Sequence, residues 1–248
     1  MSQDNLRAAI LAGGKGSRFR PYTDLIAKPM IPVGEEEKPL LEHIISWLSR
    51  AGVKDIVILV GYRGKQIRNY FRDGFYWGVH IEYSWDDEEY KDTGGSLLKA
   101  YRNGLLGEDT VIVWYGDILA TVNIQDLLRS HKDSEADATI VVADKYQLPV
   151  GVARLEDGRI VELVEKPWYP LKATIGVLAL ETRVLKGIEG ILGKSFDIMG
   201  HFIPWMIKKG YNVRGYVYSG PWYDVGSMER YAKLSNHLFD KIFKGILK

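Results

Sequence analysis

Short apolar runs alternate with stretches whose apolar residues recur every three or four positions, and this alternation holds through about residue 145. Residues 8–12, 54–60, 110–115 and 136–143 are near-continuous apolar runs and read as buried strands. Between the first two, residues 39–51 carry Leu40, Leu41, Ile44, Ile45, Leu48 and Ala51 at helical spacing. Residues 64–72 repeat that spacing with Ile67, Tyr70 and Phe71 inward, and residues 79–85 alternate as a strand does. The small residues Thr93-Gly94-Gly95-Ser96 open a further helix through Tyr101, and another is expected over 123–131. Strand, helix and strand in this order predict βαβ units with parallel strands and right-handed crossovers. The expected class is α/β, a mainly parallel central sheet with helices on both faces.

After residue 145 the grammar changes. Residues 151–155 and 159–165 flank Asp157-Gly158, a strong hairpin signal. A strand over 173–181, helices over 182–192 and 199–209, and a strand over 211–219 follow. A terminal helix over 227–243 would place Met228, Tyr231, Leu234, Leu238 and Ile242 on one side. This half looks α+β. No linker rich in Pro, Gly or Ser separates it from the first. Residues 1–248 therefore read as one domain, with halves 1–145 and 146–248 sharing a central sheet.

Composition narrows the function by exclusion. With 33 Lys and Arg against 32 Asp and Glu, the formal charge is +1, which argues against a surface built for nucleic acid. No apolar run reaches the roughly 18 residues of a membrane span, and the N-terminus lacks the basic and apolar regions of a signal peptide. Cytoplasm is the default expectation. The chain has no cysteine, hence no disulfide, thiolate metal site or thiol nucleophile. Its five histidines show no metal-ligand spacing.

The candidate chemistry is concentrated in residues 11–33, LAGGKGSRFRPYTDLIAKPMIPV, directly after the first strand. Gly13, Gly14 and Gly16 allow a tight turn and close approach to a ligand. Successive N–H groups in such a turn attract anions. Lys15, Arg18 and Lys28 add full charges, and Arg18 can grip a phosphate with two parallel hydrogen bonds. Polyphosphate handling is the expectation. The loop is not a Walker A motif, since the spacing before Gly-Lys-Ser/Thr is missing. Nor is it the dinucleotide fingerprint, because Phe19 holds the third glycine's place.

The remaining pattern, G-G-x-G-S-R-F-x-P-x-T followed by K-P-M-I-P, resembles the signature of the sugar-1-phosphate nucleotidyltransferases. The resemblance continues in family order through Gly116-Asp117, Glu165-Lys166-Pro167 and Trp222-Tyr223-Asp224-Val225-Gly226-Ser227. It implies a Rossmann-like sheet of the nucleotide-diphospho-sugar transferase type, whose second half binds the sugar. The implied reaction joins a nucleoside triphosphate to a sugar 1-phosphate, releasing pyrophosphate. Leu11, Ala12, Gly13, Gly14, Gly16, Ser17, Gly94 and Gly95 would border the nucleotide. Arg18 and Lys28 would be catalytic, on the β,γ-phosphates and the α-phosphate respectively. Asp117 and Asp224 would bind Mg²⁺. Lys166 would hold the sugar phosphate, Glu165 a sugar hydroxyl, and Thr174 and Gly176 would line the sugar. The family commonly forms homo-oligomers.

Two positions depart from the pattern. Lys91-Asp92-Thr93 stands where many relatives have Leu-Gly-Thr, and Thr174 stands where many have Asn. The base and the sugar are therefore left open, with guanylyl, uridylyl and thymidylyl transfer all compatible and the Thr93-Gly94-Gly95 variant leaning toward the guanylyl branch. Cytidylyl transfer to a non-sugar phospho-alcohol would use the same first motif. A non-catalytic nucleotide-sugar-binding subunit should have lost Arg18, Lys28 or an aspartate, and this chain keeps them all.

Overall fold

The structure is a computed structural model describing residues 6–244. In chain order its main strands are β1 (Arg7–Leu11), β2 (Asp55–Val60), β3 (His80–Trp85), β4 (Thr110–Tyr115), β5 (Ile118–Ala120), β6 (Ala138–Ala143), β7 (Val152–Glu156), β8 (Arg159–Val164), β9 (Thr174–Glu181), β10 (Val213–Tyr218) and β11 (Trp222–Asp224). The principal helices are α1 (Leu40–Arg50), α2 (Gly64–Phe71), α3 (Asp92–Arg102), α4 (Ile124–Asp133), α5 (Ile203–Lys208) and α6 (Met228–Lys233).

Seven strands form one sheet in the order β10-β6-β9-β4-β1-β2-β3. The β1, β2, β3 and β4 ladders are parallel, as is β10 with β6, whereas β9 runs antiparallel to both neighbours. The sheet is the mainly parallel α/β sheet expected. Strands from both halves of the chain enter it, because β9 pairs directly with β4. The apolar runs are hidden on both faces: Ala8, Ile10, Ile56, Ile58, Ile112 and Trp114 belong to one core, and Ala9, Val57, Leu59, Val111 and Val113 to the other. Alternate residues of one strand thus face opposite cores, which is why these runs show no polar alternation.

Two expected helices are interrupted. Over 182–192 there is a 3₁₀ turn at Thr182–Leu185 and a single helical turn at Glu189–Leu192, parted by Gly187 at φ +76°. The terminal helix ends after Lys233 and restarts at Asn236. In one continuous helix Leu234 and Phe239 would point about 140° apart. The break lets both enter a third, smaller core with Phe19, Ile31, Val33, Leu40 and Phe243. Leu238, expected inside, is exposed instead. The C-terminal segment therefore closes over the exit of the glycine loop.

Candidate active site

The glycine loop springs from the carboxyl end of β1, between the carboxyl ends of β2 and β4, the usual ligand edge of an open α/β sheet. Backbone bonds continue the ladder on both sides: Ala12 N–H donates to Leu59 O at 2.8 Å and Gly116 N–H to Leu11 O at 2.9 Å. Gly16 adopts φ +61°, a left-handed conformation suited to glycine, and leads into the turn Ser17–Phe19. Thr23 Oγ1 locks that turn by donating to Gly16 O at 2.9 Å. Phe19 is fully buried beneath it.

A cavity of about 530 Å³ opens over this loop. Leu11, Ala12, Gly13, Gly14, Gly16, Ser17, Arg18, Lys28 and Asp117 all line it. Lys28 Nζ donates to Asp117 Oδ2 at 2.6 Å and sits 5.4 Å from the centre of the Phe19 ring. The lysine side chain is only 11% exposed. Its charge is thus held at one point before any substrate arrives.

Asp117 and Asp224 lie more than a hundred residues apart in sequence, and a short antiparallel ladder joins their neighbourhoods. β11 pairs with β5 so that Asp224 stands opposite Ile118, and Val225 N–H donates to Asp117 O at 2.9 Å. Burial, and then the neighbouring charge of Asp117, push the Asp224 carboxyl above its usual range. Arg230 pairs with Asp224 from the first turn of α6. Ser227 caps that helix, accepting from Arg230 N–H at 3.3 Å. Asp117 lines the cavity and Asp224 stands close enough to feel its charge; two such carboxylates are hard oxygen donors of the kind that would suit Mg²⁺ together with phosphate oxygens and water. Among the described residues no three His, Asp or Glu side chains cluster to hold a metal by themselves.

Gly94 and Gly95 do not line the cavity. Both N–H groups donate to Phe196 O, at 2.8 and 3.3 Å, and a Cβ on Gly94 would fall 2.2 Å from the Phe196 ring. They let α3 pack against residues 194–196, and it is Asp92, Thr93 and Ser96 of that helix that line the cavity. The sugar-side residues are more dispersed. Glu165 and Lys166 follow the β7–β8 hairpin, exposed and 3.5 Å apart. Thr174 is exposed at the start of β9. Gly176 occupies a register irregularity of β9 at φ +74°, where a Cβ would meet the Tyr115 side chain at 3.1 Å.

Tyr115, Asp197 and Arg230 are among the residues in or near the cavity that escaped the sequence reading. Tyr115 ends β4 with its hydroxyl buried beside Thr93, and burial pushes that phenol upward. Asp197 accepts from Thr93 Oγ1 at 2.7 Å and from Gly200 N–H at 2.6 Å. A tyrosine ending an otherwise apolar strand just before Gly-Asp was the available signal for the first. Asp197 and Arg230 offered none.

Comparison with known proteins bears on the family and the fold. The chain is 28% identical to the UTP–glucose-1-phosphate uridylyltransferase of Synechocystis sp., over 97% of this chain and 65% of that protein. It is 29% identical to the mannose-1-phosphate guanylyltransferase of Mycobacterium tuberculosis, over 96% of this chain and 66% of that one. It thus spans just under two thirds of the length of these curated relatives. The structure of HddC from Yersinia pseudotuberculosis complexed with GMP-PN superposes with a TM-score of 0.70 at 21% identity, covering 94% of this chain and 99% of HddC, a likeness of fold. No helix among the described residues is long and apolar enough to cross a membrane. The family model for nucleotidyl transferases matches residues 7–241, nearly the whole chain, and the protein belongs to that family.

Proposed function

We propose that this protein transfers a nucleotidyl group from a nucleoside triphosphate to a sugar 1-phosphate in a Mg²⁺-dependent reaction, releasing pyrophosphate. The observation that carries this reading is the pairing of Lys28 with Asp117 on the cavity wall, with Asp224 close enough to feel both charges. Both relatives named above are sugar-1-phosphate nucleotidyltransferases, and they differ in base and sugar.

The incoming sugar phosphate is already an anion, so the chemistry needs no protein nucleophile. One of its oxygens attacks the α-phosphorus, and the bond from that phosphorus to the oxygen joining it to the β-phosphorus breaks, that oxygen leaving as a terminal oxygen of pyrophosphate. The obstacle is repulsion between two anions, which positioning and charge neutralisation overcome. Lys28 would leave part of its bond with Asp117 to meet the α-phosphate. Arg18, on the cavity wall, would take the β,γ-phosphates and steady the departing pyrophosphate. Lys166 and Glu165 would hold the sugar phosphate and a hydroxyl from the hairpin side. Asp117 and Asp224 would hold Mg²⁺, which when bound would neutralise phosphate charge.

The test is direct. Protein supplied with Mg²⁺ should release pyrophosphate only when a triphosphate and a sugar 1-phosphate are both present. Asp117→Asn should abolish that release while circular dichroism shows an intact fold. Undiminished release by this variant would sink the assignment of Asp117, and release without any acceptor would sink the transfer reaction itself.

A further inference from the structure

The cavity is lined by Lys15, Arg18 and Lys28 of the glycine-loop segment and, where β3 ends and α3 begins, by Asp86 and Asp92, with Asp117 and Asp197 also on its wall. A triphosphate with its phosphates on the cations would bring its neutral base toward the wall formed by β3 and α3. The proposed transfer makes no use of Asp86.

Asp86 directly follows β3, and its N–H donates to Val60 O at 2.8 Å, so the β2 ladder fixes its backbone. Its carboxylate turns over the glycine loop. Ser96 Oγ, from α3, donates to Oδ1 at 2.6 Å. Oδ2 lies over the slot between Gly13 and Gly61, where a Cβ on either glycine would come within 2.3 Å of it. Among the described residues no donor reaches Oδ2. The neighbouring cation, Lys99, is engaged by the Trp85 carbonyl and by Asp87 Oδ2, the latter at 2.8 Å. The carboxylate is thus oriented by one protein donor, fits where the two glycines lack side chains, and still has an oxygen to offer at the cavity wall.

A carboxylate only accepts hydrogen bonds, so it sorts bases by the donors on their pairing edges. Uracil and thymine present a single N–H between two carbonyl oxygens, which would face the carboxylate with like charge. Adenine and cytosine present an amino group beside a bare ring nitrogen, again an acceptor. Guanine alone presents two adjacent donors, N1–H and the 2-amino group. We infer that Asp86 reads the nucleobase and selects guanine, making the nucleotide substrate GTP. This inference rests on the cavity being the triphosphate site proposed above.

Titration calorimetry in Mg²⁺ buffer without any sugar phosphate tests it. The wild-type protein should bind GTP more tightly than UTP, dTTP, CTP or ATP, with a margin of about 10- to 100-fold for a two-donor contact. Inosine triphosphate keeps N1–H but lacks the 2-amino group, and should bind about tenfold more weakly than GTP. In Asp86→Asn the advantage of GTP over inosine triphosphate should collapse, and UTP should bind at least as well as before. Equal wild-type affinities for GTP and inosine triphosphate, or a base ranking unmoved by Asp86→Asn, overturn the inference while leaving the transfer reaction standing. Failure to bind any triphosphate overturns both. Should Asp86→Asn not fold, the wild-type comparison of GTP, inosine triphosphate and UTP decides alone.

Discussion

Lys28 and Lys166 are each followed by proline, and each is assigned a phosphate, yet their surroundings are opposite. Lys28 is nearly buried, bonded to Asp117 at 2.6 Å and backed by the Phe19 ring. Lys166 follows a two-stranded hairpin, half exposed, with Glu165 3.5 Å away as its ion-pair partner. An exposed pair of that kind contributes little rigidity, and a hairpin of two strands is marginal without further packing. Leu155, Ile160 and Leu163 of that hairpin are all largely exposed. The glycine-loop side is therefore preorganised, whereas the acceptor side spends part of its binding energy ordering long side chains. On the proposed reading, reaction class would reside in the first region and acceptor affinity in the second.

The largest effect should come from the preorganised lysine. Lys28→Met should lower kcat by about 10²–10³, the usual loss for a positioned charge, with a near-native melting temperature. Lys166→Ala should instead raise KM for the sugar phosphate by about 10-fold or more, as expected for a hydrogen bond to a charged group. It should leave kcat and the KM for the triphosphate close to wild type. Steady-state kinetics with each substrate varied separately measures both. A fall in kcat for Lys166→Ala as deep as that for Lys28→Met would erase the contrast between the two regions.

A smaller effect separates glycines that serve packing from those that face the cavity. Gly94→Ala places a methyl group 2.2 Å from the Phe196 ring and 2.7 Å from its carbonyl oxygen. Overpacking of this kind costs about 1–3 kcal/mol, visible as a lower urea midpoint. A Cβ on Gly14 meets nothing within 4 Å. Gly14→Ala should keep wild-type stability and weaken triphosphate binding, because its methyl would project where the loop receives its ligand. Equal stability of the two variants would show that α3 accommodates the added methyl at Gly94.

The parts readable from the sequence were those with a local signature. Buried strands appear as apolar runs, so β1, β2 and β4 were placed within about two residues, and the motif glycines named the loop. The meeting of Asp117 with Asp224 could only be expected from family resemblance, because it depends on a ladder between two three-residue strands. Gly94 and Gly95 misled because small residues at a helix start suit both a close ligand and a close neighbouring chain. Only the position of Phe196, a hundred residues downstream, decides between these. Leu238 misled for a related reason: periodicity assumes a continuous helix, and long-range packing of Leu234 and Phe239 breaks this one.

The smallest predicted effect uses pH to separate the same two regions. His43 lies on α1 with its Nε2 3.4 Å from Val33 O and its ring 4.7 Å from that of Phe239, in the small core behind the glycine loop. Residues 146–181, which carry the hairpin and its lysine, contain no histidine. Burial lowers the pKa of His43 below its ordinary 6.5, and the hydrogen bond to Val33 only partly opposes that. The unfolded chain therefore takes a proton here near pH 6.5, and the folded chain only at lower pH. Protonation favours unfolding across that interval, so the contribution is fully present above about pH 6.5 and lost as pH falls toward the folded value. Melting temperatures of the wild type should decline between pH 7 and pH 5, and those of His43→Gln should decline less over the same range. Parallel curves would mean that the ring is not buried as described, and that this side of the site is looser than its core suggests.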